Sequence, residues 1–237
     1  MKIIYELGSQ FQNTKKFKLG SFFQKEMELL NLFDTIIPIS IEEKYIYSQF
    51  LKKNIEIIPH SLPDKSKLNY EVKKYDIIYV ASDNPHNREG IKWFFQSVYP
   101  ILRDDIKICV VGKIANCIED YLNVEKNLFV KDLDQFYASS KIAICPMFTG
   151  TGLKIKVIEA MSFGLPIVSN ERGIDGLYNK TNNGVLVTNN PENFALYIYK
   201  LIENQLFWSE ISHQSKSYFN ENHHVDMVYN KLDNIFN

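Results

Sequence analysis

Residues 149–169 constrain the fold more than any other stretch, because glycine turns there bracket a short apolar segment. Gly150 and Gly152 lack a Cβ atom where the backbone must bend and admit a close neighbour. Residues 153–163 are good helix formers, and Gly164 stands where glycine commonly ends a helix. Apolar runs precede and follow this unit. The stretch therefore predicts a strand, a glycine turn, a largely buried helix and a second strand.

Two charged side chains stand out on the predicted helix. Lys156 and Glu159 are three residues apart and share one face of it. Exposed N–H groups at a glycine-rich helix start, together with a lysine, suit an anionic group such as a diphosphate. A carboxylate about one turn deeper suits sugar hydroxyls. The alternative is an internal Lys–Glu pair with a purely structural role, and the residues alone leave both interpretations open.

Apolar strand-like runs alternate with helical segments along the rest of the chain. Strands are predicted at residues 2–5, 35–39, 55–58, 76–81, 106–111, 128–130, 142–145, 165–169 and 184–188. Helices are predicted at residues 22–32, 40–53, 91–102, 135–140, 153–163, 191–201 and from 207 onward, with Ser40 and Glu43 forming a capping box.

This alternation predicts an α/β fold, a Rossmann-like parallel sheet with helices on both faces. Such sheets bind ligands at the carboxyl ends of strands, where the strand order reverses. The turns at residues 82–90, at Gly112 and at residues 149–152 are therefore expected to line one rim. His223 and His224 have no matching carboxylate spacing and are expected at the surface.

Composition narrows the class of partner and compartment. The 237 residues carry a net charge of −1, and basic and acidic residues are mixed along the chain. This balance gives no indication of a nucleic-acid partner. The cysteines show neither zinc spacing nor a disulfide framework, and Cys109 and Cys145 are expected to be reduced core residues. No run reaches the length of a membrane span, and the start has no signal-peptide pattern. The expected location is the cytoplasm, with peripheral membrane contact left open.

The central stretch resembles the donor-binding half of the GT-B glycosyltransferases of family 4. The resemblance is carried by residues 150–169 and 173–177, and it extends to residues 34–40, 58–61, 79–87, 90–94 and 190–195. It implies that residues 1–66 are a remnant of the acceptor-side Rossmann domain and that residues 67–237 form the nucleotide-sugar-binding domain. The polar segment at 63–74 is the candidate linker between them.

The resemblance implies transfer of a sugar, with retention, from a nucleotide-diphosphate sugar to a glycan, lipid or small-molecule acceptor. It implies no cofactor and no obligatory metal. Lys156 would bind the diphosphate and Glu159 the ribose, as the catalytic residues. The implied donor-binding set is Thr149, Gly150, Thr151, Gly152, Leu153, Lys156, Glu159, Asn87 and Arg88. Weaker candidates are His60, His86, Glu171 and Asp175.

The chain departs from the family pattern in two respects. It is short in the acceptor-side half, and Thr151 occupies the place of the first of two family glutamates, with Glu159 in the second. Two hypotheses follow. The first is a glycosyltransferase, or its donor-binding part, that uses a nucleotide sugar and needs a partner chain if its acceptor domain is missing. The alternative, motivated by these departures, is a non-catalytic half-transferase acting as a binding or partner subunit. A nicotinamide enzyme is disfavoured, because no Gly-x-Gly-x-x-Gly turn follows the first strand.

Overall fold

A small α/β unit comes first in the described part of this computed structural model, which covers residues 19–68 and 73–236. Helix α1 (Leu19–Leu30), strand β1 (Thr35–Ile36), helix α2 (Ile41–Phe50) and strand β2 (Asn54–Ile55) follow in that order, and the two strands pair in parallel. Ile36, Tyr47, Leu51 and Ile55 form a separate small core. The strand predicted at 2–5 lies outside the described residues.

The predicted capping box of α2 is confirmed with one change. The Ser40 Oγ accepts the Glu43 N–H at 3.2 Å, but Glu43 Oε2 reaches back to the N–H of Ile39, at 3.1 Å. The helix ends at Phe50, three residues before the predicted end. The N–H of Leu51 still bonds the Tyr47 carbonyl, but Leu51 itself is extended, and this turns the chain into β2.

The main sheet has six strands, all parallel. They are β3 (Tyr75–Val80), β4 (Ile108–Val111), β5 (Val124–Asn127), β6 (Ser140–Cys145), β7 (Ile167–Ser169) and β8 (Val185–Val187). Their order across the sheet is β5-β4-β3-β6-β7-β8. The chain therefore winds outward in one direction from β3 and in the other from β6. This confirms the predicted Rossmann-like α/β class.

Helices cover both faces of this sheet. They are α3 (Pro85–Trp93), α4 (Asp134–Ala138), α5 (Ile155–Ser162), α6 (Pro191–Glu203), α7 (Gln205–Asn222) and α8 (Val225–Phe236). One apolar layer joins the sheet to α3 and α6 and includes Phe94 and Phe194. The other joins it to α4, α5 and α7, and contains the buried free thiols of Cys109 and Cys145, as predicted.

Two predicted elements are wrong. The helix predicted at 91–102 begins at Pro85, because the Asn84 side chain accepts the Asn87 N–H and Pro85 stands in the first turn. It continues beyond Trp93 as a π-helical and then a 3₁₀ turn up to Ile101. The strand predicted at 128–130 lies earlier in the chain, as β5, whose last residue, Asn127, pairs with Val111. Residues 128 and 129 project beyond this edge strand and are exposed.

Helix α5 ends as its glycine predicted. Gly164 has φ +69°, its N–H bonds the Met161 carbonyl, and the Leu165 N–H bonds the Ala160 carbonyl. These two bonds form a Schellman motif, which satisfies carbonyls at the helix end.

The expected surface position of His223 is wrong. Its side chain is fully buried, and its Nδ1 lies 2.9 Å from the His60 carbonyl oxygen. Beside it, Leu62 bonds the backbone of His223 and Val225, so the start of α8 is tied to the segment that follows β2. Burial lowers the pKa of His223 to about 4; the hydrogen bond to the His60 backbone opposes this shift, and the nearby Lys231 acts in the same direction as burial.

We expect the free energy of unfolding to fall as the pH is lowered from about 6.5 to about 4. In this range the unfolded chain protonates His223 and the folded chain does not, so acid favours unfolding. The loss is at most about 3 kcal/mol for this residue. Urea unfolding at pH 7 and pH 5 measures it. His223→Asn should flatten the pH dependence and the exposed control His213→Asn should not; identical profiles for wild type and His223→Asn would refute this assignment.

Candidate functional site

The strand order reverses between β3 and β6, and the chain leaves these neighbouring strands toward opposite faces. Helix α3 follows β3, and a glycine loop, defined here as residues 149–153, follows β6 and leads into α5. In open parallel sheets the crevice at such a reversal is the usual ligand site. The two turns that the sequence singled out thus face each other across this crevice.

Helix α3 packs directly on the backbone that leaves β6. A Cβ atom placed on Gly90 would lie 1.8 Å from the carbonyl oxygen of Pro146, so only glycine permits this approach. The contact brings the first turn of α3 against the glycine loop. There His86 Nδ1 lies 2.8 Å from Thr149 Oγ1, and Thr149 donates its hydroxyl proton to Glu89 Oε2 at 2.6 Å.

The glycine loop presents unused backbone donors. Gly150 and Gly152 both have φ +83°, a left-handed conformation that favours glycine. In the described part of the chain, the N–H groups of Gly150, Thr151 and Gly152 donate to no protein acceptor. Three such donors on consecutive residues next to a helix start are suited to an anionic oxygen.

Lys154 holds this loop from within and was missed in the sequence. Its side chain is buried, and Nζ donates to the carbonyl oxygens of Gly152 at 2.7 Å and Gly150 at 3.3 Å. Because the carbonyls face the lysine, the loop N–H groups are left for a ligand. Burial lowers the pKa of Lys154. The available signal was a lysine two residues after the second of two spaced glycines, but the sequence analysis assigned the cationic role to Lys156 alone.

Lys156 lies at the floor of the crevice. Its Nζ donates to Asn87 Oδ1 at 2.6 Å and stands 4.9 Å from the centre of the Tyr79 ring. Asn87 is itself held by a bond from its Nδ2 to the Ser82 carbonyl, at 2.8 Å. Burial lowers the pKa of Lys156. Among the described residues, no carboxylate bonds this ammonium, so the site contains a cation without a bonded anion in that part of the chain.

Glu159 lies one turn further along α5. Its Oε2 accepts the hydroxyl proton of Tyr137 at 3.1 Å, and the Tyr137 ring stacks on Phe163 at 5.2 Å. Burial raises the pKa of Glu159, and the Tyr137 hydrogen bond opposes that rise. Lys156 and Glu159 form no salt bridge with each other among the described residues. The purely structural Lys–Glu pair is thus not what the fold contains.

Both side chains open into one cavity of about 760 Å³. Its walls come from the carboxyl ends of β3, β4 and β6, from the first turn of α3 and from the glycine loop. The lining includes Val80, Asn87, Gly112, Lys113, Phe129, Leu133, Gly150, Thr151, Leu153, Lys154, Lys156 and Glu159. The three turns predicted to share a rim are thus together in space.

Other candidates lie apart from this cavity. The Arg88 guanidinium points away and is paired with Asp83, with Nη2 2.7 Å from Oδ2. Glu171 is exposed and begins a 3₁₀ turn (Glu171–Ile174) beyond β7. Neither side chain lines the cavity, as far as residues 19–68 and 73–236 show. Thr149 contributes through His86 and Glu89 rather than by lining the wall.

A second cavity of about 890 Å³ lies on the other side of the glycine loop. It is enclosed by the first α/β unit, by α8 and by residues 58–61, among them His60. Asn84, His86, Gly150, Thr151, Leu153 and Ile155 line both cavities. The glycine loop therefore stands at the junction of the charged cavity and this second cavity.

The charged cavity combines a desolvated ammonium, exposed amides and a carboxylate. The first two match the oxygens of a phosphate or diphosphate, and the third matches hydroxyl groups. No group of three or more His, Cys, Asp or Glu within the described ranges is arranged to hold a metal ion. None of the described helices is both long enough and apolar enough to cross a membrane.

Comparisons with known proteins address the same region. A model of the family described as "Glycosyl transferases group 1" matches residues 74–204, more than half of the chain. An uncharacterized 44.6 kDa protein from the cps region of Klebsiella pneumoniae is 22% identical over 234 residues. That alignment covers 91% of this chain and 59% of the relative.

Solved structures share the fold at low identity. TarM is 20% identical with a TM-score of 0.73, over 96% of this chain and 48% of its own. HepE from Anabaena, in complex with UDP and glucose, is 13% identical with a TM-score of 0.73, over 90% and 66%. Sucrose-phosphate synthase from Thermosynechococcus elongatus is 15% identical with a TM-score of 0.70, over 96% and 64%.

Fold and site together define a Rossmann-like α/β protein with a ligand crevice where its strand order reverses. More particularly, the chain belongs to the group 1 glycosyl transferases and has the GT-B fold of its structural neighbours. This confirms the resemblance at the level of family and fold. The chain spans 59% of the length of its curated relative and 48% of TarM.

Proposed function

We propose that this chain binds a nucleotide-diphosphate sugar and transfers the sugar, with retention, to an acceptor hydroxyl. The proposal is carried by one observation. Lys156 Nζ, the unused amides of the glycine loop and the Glu159 carboxylate all open into the cavity where the strand order reverses. Since HepE is described in complex with UDP and glucose, we propose uridine as the base.

Lys156 and the loop amides would hold the leaving diphosphate. Breaking the bond between the sugar and the phosphate oxygen builds negative charge on the diphosphate and positive character on the ring. Fixed donors aimed at that charge stabilise the transition state, and one donor is worth about 3 kcal/mol. The lowered pKa of Lys156 indicates an ammonium that gains from an anionic neighbour. We propose that these cationic and amide donors make a metal ion unnecessary.

Glu159 would hold the ribose. Tyr137 occupies its Oε2, while Oε1 has no hydrogen-bond partner among the described residues. A carboxylate oriented by one such bond accepts hydrogen bonds from neighbouring hydroxyl groups in a defined direction. The distance of one helical turn between Lys156 and Glu159 matches the neighbouring position of ribose and phosphate in a nucleotide.

The test is the thermal unfolding midpoint with uridine, guanosine or deoxythymidine diphosphate, in EDTA and in magnesium. We expect uridine diphosphate to raise the midpoint in both media, because ligand at 100 times its Kd stabilises by about 2.7 kcal/mol. Stabilisation that appears only with magnesium would refute the proposal that no metal ion is needed. No effect of any diphosphate or diphosphate sugar at millimolar concentration would refute the proposed function.

The proposed contact between Glu159 and the ribose is tested separately, by removing a hydroxyl group from the ribose of the nucleotide. Wild-type protein should bind uridine diphosphate about tenfold more tightly than its 2′-deoxy form, since one hydrogen bond to a charged group is worth about 1.5–3 kcal/mol. Glu159→Gln should lose most of this preference, and Glu210→Gln, on α7, is the exposed control. Isothermal titration calorimetry measures both ligands. A preference unchanged by Glu159→Gln would place the ribose elsewhere.

A non-catalytic role as a partner subunit is the second candidate. It is favoured by Thr151, which occupies an exposed position of the glycine loop where the family resemblance implies a glutamate. A GtfA/B complex is among the structural neighbours, at 18% identity and a TM-score of 0.62. Donor hydrolysis or transfer by the purified chain alone would remove this candidate. Activity that appears only with a second chain supplying the acceptor domain would support the partnership instead.

For the division of the chain, we propose the boundary at residues 66 and 67. Its support is the absence of regular helix or strand, among the described residues, between β2 and β3. We also propose a cytoplasmic location, peripheral at a membrane if the acceptor is a lipid. Fractionation of cells expressing the tagged chain tests this location.

A further inference from the structure

The glycine loop is anchored by side chains at both of its ends. Lys154, which follows the loop, bonds the carbonyl oxygens of Gly150 and Gly152. Thr149, at the start of the loop, bonds Glu89 and His86 of α3. The second anchor therefore crosses the crevice, because it joins the segment after β6 to the helix after β3.

The Thr149 hydroxyl is engaged on both sides. A carboxylate only accepts hydrogen bonds, so the hydroxyl donates its single proton to Glu89 Oε2, at 2.6 Å. The oxygen then accepts from His86, whose Nδ1 lies 2.8 Å away and carries the hydrogen in this arrangement. Two bonds in different directions hold the side chain of Thr149 in one orientation, although the residue is exposed.

The imidazole of His86 also packs on the loop backbone. A Cβ atom placed on Gly150 would lie 3.2 Å from Cγ of His86, so the ring occupies the space beside the Gly150 Cα. The ring lines both the charged cavity and the second cavity. Movement of Gly150 toward α3 is limited by this contact.

The two anchors orient different peptide groups of the loop. The bond from Lys154 to the Gly150 carbonyl orients the peptide group whose N–H belongs to Thr151, because a peptide group is planar. That bond does not act on the preceding peptide group, which carries the Gly150 N–H. The side-chain anchor of Thr149 fixes the Cα atom at the start of this preceding group. Without it, the conformational freedom of glycine would let the Gly150 N–H turn away.

We propose that Thr149, held by Glu89 and His86, is a positioning residue that keeps the Gly150 N–H directed at the phosphate farther from the ribose. The order of groups supports this assignment, since Glu159 lies one helical turn beyond Lys156 and the glycine loop precedes both. A ribose at Glu159 would therefore place the second phosphate nearest the loop. This inference rests on the proposed function, and it assigns a role to Glu89 without any contact with the ligand.

A direct contact between the Thr149 hydroxyl and the ligand is less well supported. The hydroxyl proton is already donated to Glu89. As far as residues 19–68 and 73–236 show, Thr149 lines neither the charged cavity nor the second cavity. The effect of Thr149 on binding is therefore expected to pass through the orientation of the backbone, which lowers the cost of ordering the loop around a ligand.

The test compares uridine diphosphate with uridine monophosphate on the full chain, by calorimetry. Thr149→Val removes the hydroxyl and keeps the shape of the side chain. It should weaken diphosphate binding at least about fivefold and monophosphate binding less than about twofold, because only the diphosphate reaches Gly150. Thr149→Ser restores the hydroxyl and should recover most of the diphosphate affinity. The control Thr181→Val, at an exposed threonine whose hydroxyl bonds Asn179 at 3.2 Å, should change neither affinity.

The role of Glu89 is tested by combining two substitutions. In a Glu89→Ala protein the Thr149 hydroxyl has already lost its acceptor. Adding Thr149→Val to that protein should therefore change the diphosphate affinity by less than about twofold, since the two residues act as one unit. A loss as large as the one that Thr149→Val causes in the wild type would overturn the role of Glu89.

The outcomes separate this inference from the proposed function. Wild-type protein that binds the diphosphate no more tightly than the monophosphate would refute the proposed diphosphate site, and this inference with it. A wild-type preference for the diphosphate that Thr149→Val leaves unchanged overturns this inference alone. Equal losses in Thr149→Val and Thr149→Ser also overturn it, because the methyl group and not the hydroxyl would then matter. So does an equal loss of both nucleotides in Thr149→Val, which would indicate a general disturbance of the site.

Discussion

Lys156→Ala is expected to weaken the binding of a nucleoside diphosphate by at least about 100-fold, which corresponds to about 2.7 kcal/mol. Within residues 19–68 and 73–236, the wild-type ammonium bonds the Asn87 amide and no carboxylate, so a diphosphate would be a strong counter-charge that these residues do not supply. Because the cation is largely removed from water, the interaction with a dianion is screened little. Calorimetry with uridine diphosphate measures the change.

The stability of the unliganded protein should respond in the opposite sense. Removing a desolvated cation relieves an unfavourable charge, so the unfolding midpoint of Lys156→Ala without ligand should be equal to or above that of wild type. Lys92→Ala, an exposed lysine on α3, is the matched control and should change neither property. Equal affinities of Lys156→Ala and Lys92→Ala for the diphosphate would contradict the assignment of Lys156.

Gly90→Ala is expected to destabilise the fold by about 3 kcal/mol. Alanine in a helix is ordinarily better than glycine by about 1 kcal/mol, so propensity alone predicts a gain. Here the added Cβ would meet the Pro146 carbonyl oxygen at 1.8 Å, and backbone on both sides must move. The same movement separates α3 from the glycine loop, so diphosphate affinity should fall as well.

Gly20→Ala is the matched comparison for this substitution. Gly20 is also helical, in α1, and a Cβ there would have no neighbour within 4 Å. It should therefore stabilise by about 0.5–1 kcal/mol. Urea unfolding of the two variants measures this difference in sign. A stabilised Gly90→Ala protein would show that α3 does not pack on β6 as described.

The sequence predicted an element well where the residues that define the element lie within it or directly beside it. The alternation of apolar runs and helical segments indicated the parallel sheet, and Gly164 indicated the end of α5. The prediction was wrong at the start of α3. Apolar periodicity indicates a start at residue 91, whereas the Asn84 cap and Pro85 begin the helix at residue 85. It was also wrong at the edge strand β5, because the apolar residues 128–130 match a strand pattern better than the mostly polar residues of β5 do.

The sequence by itself determined the turns, the caps and the charged face of α5, because these depend on residues a few positions apart. Only the tertiary structure decided what surrounds that face. Asn87 and Lys156 are 69 positions apart, and Tyr137 and Glu159 are 22 apart. The first pair exists because the strand order brings β3 beside β6, and the second because α4 and α5 pack on the same face of the sheet. No local pattern encodes these neighbourhoods. The burial of His223 is also decided by the tertiary structure, because it depends on the chain returning from α7 to the segment after β2.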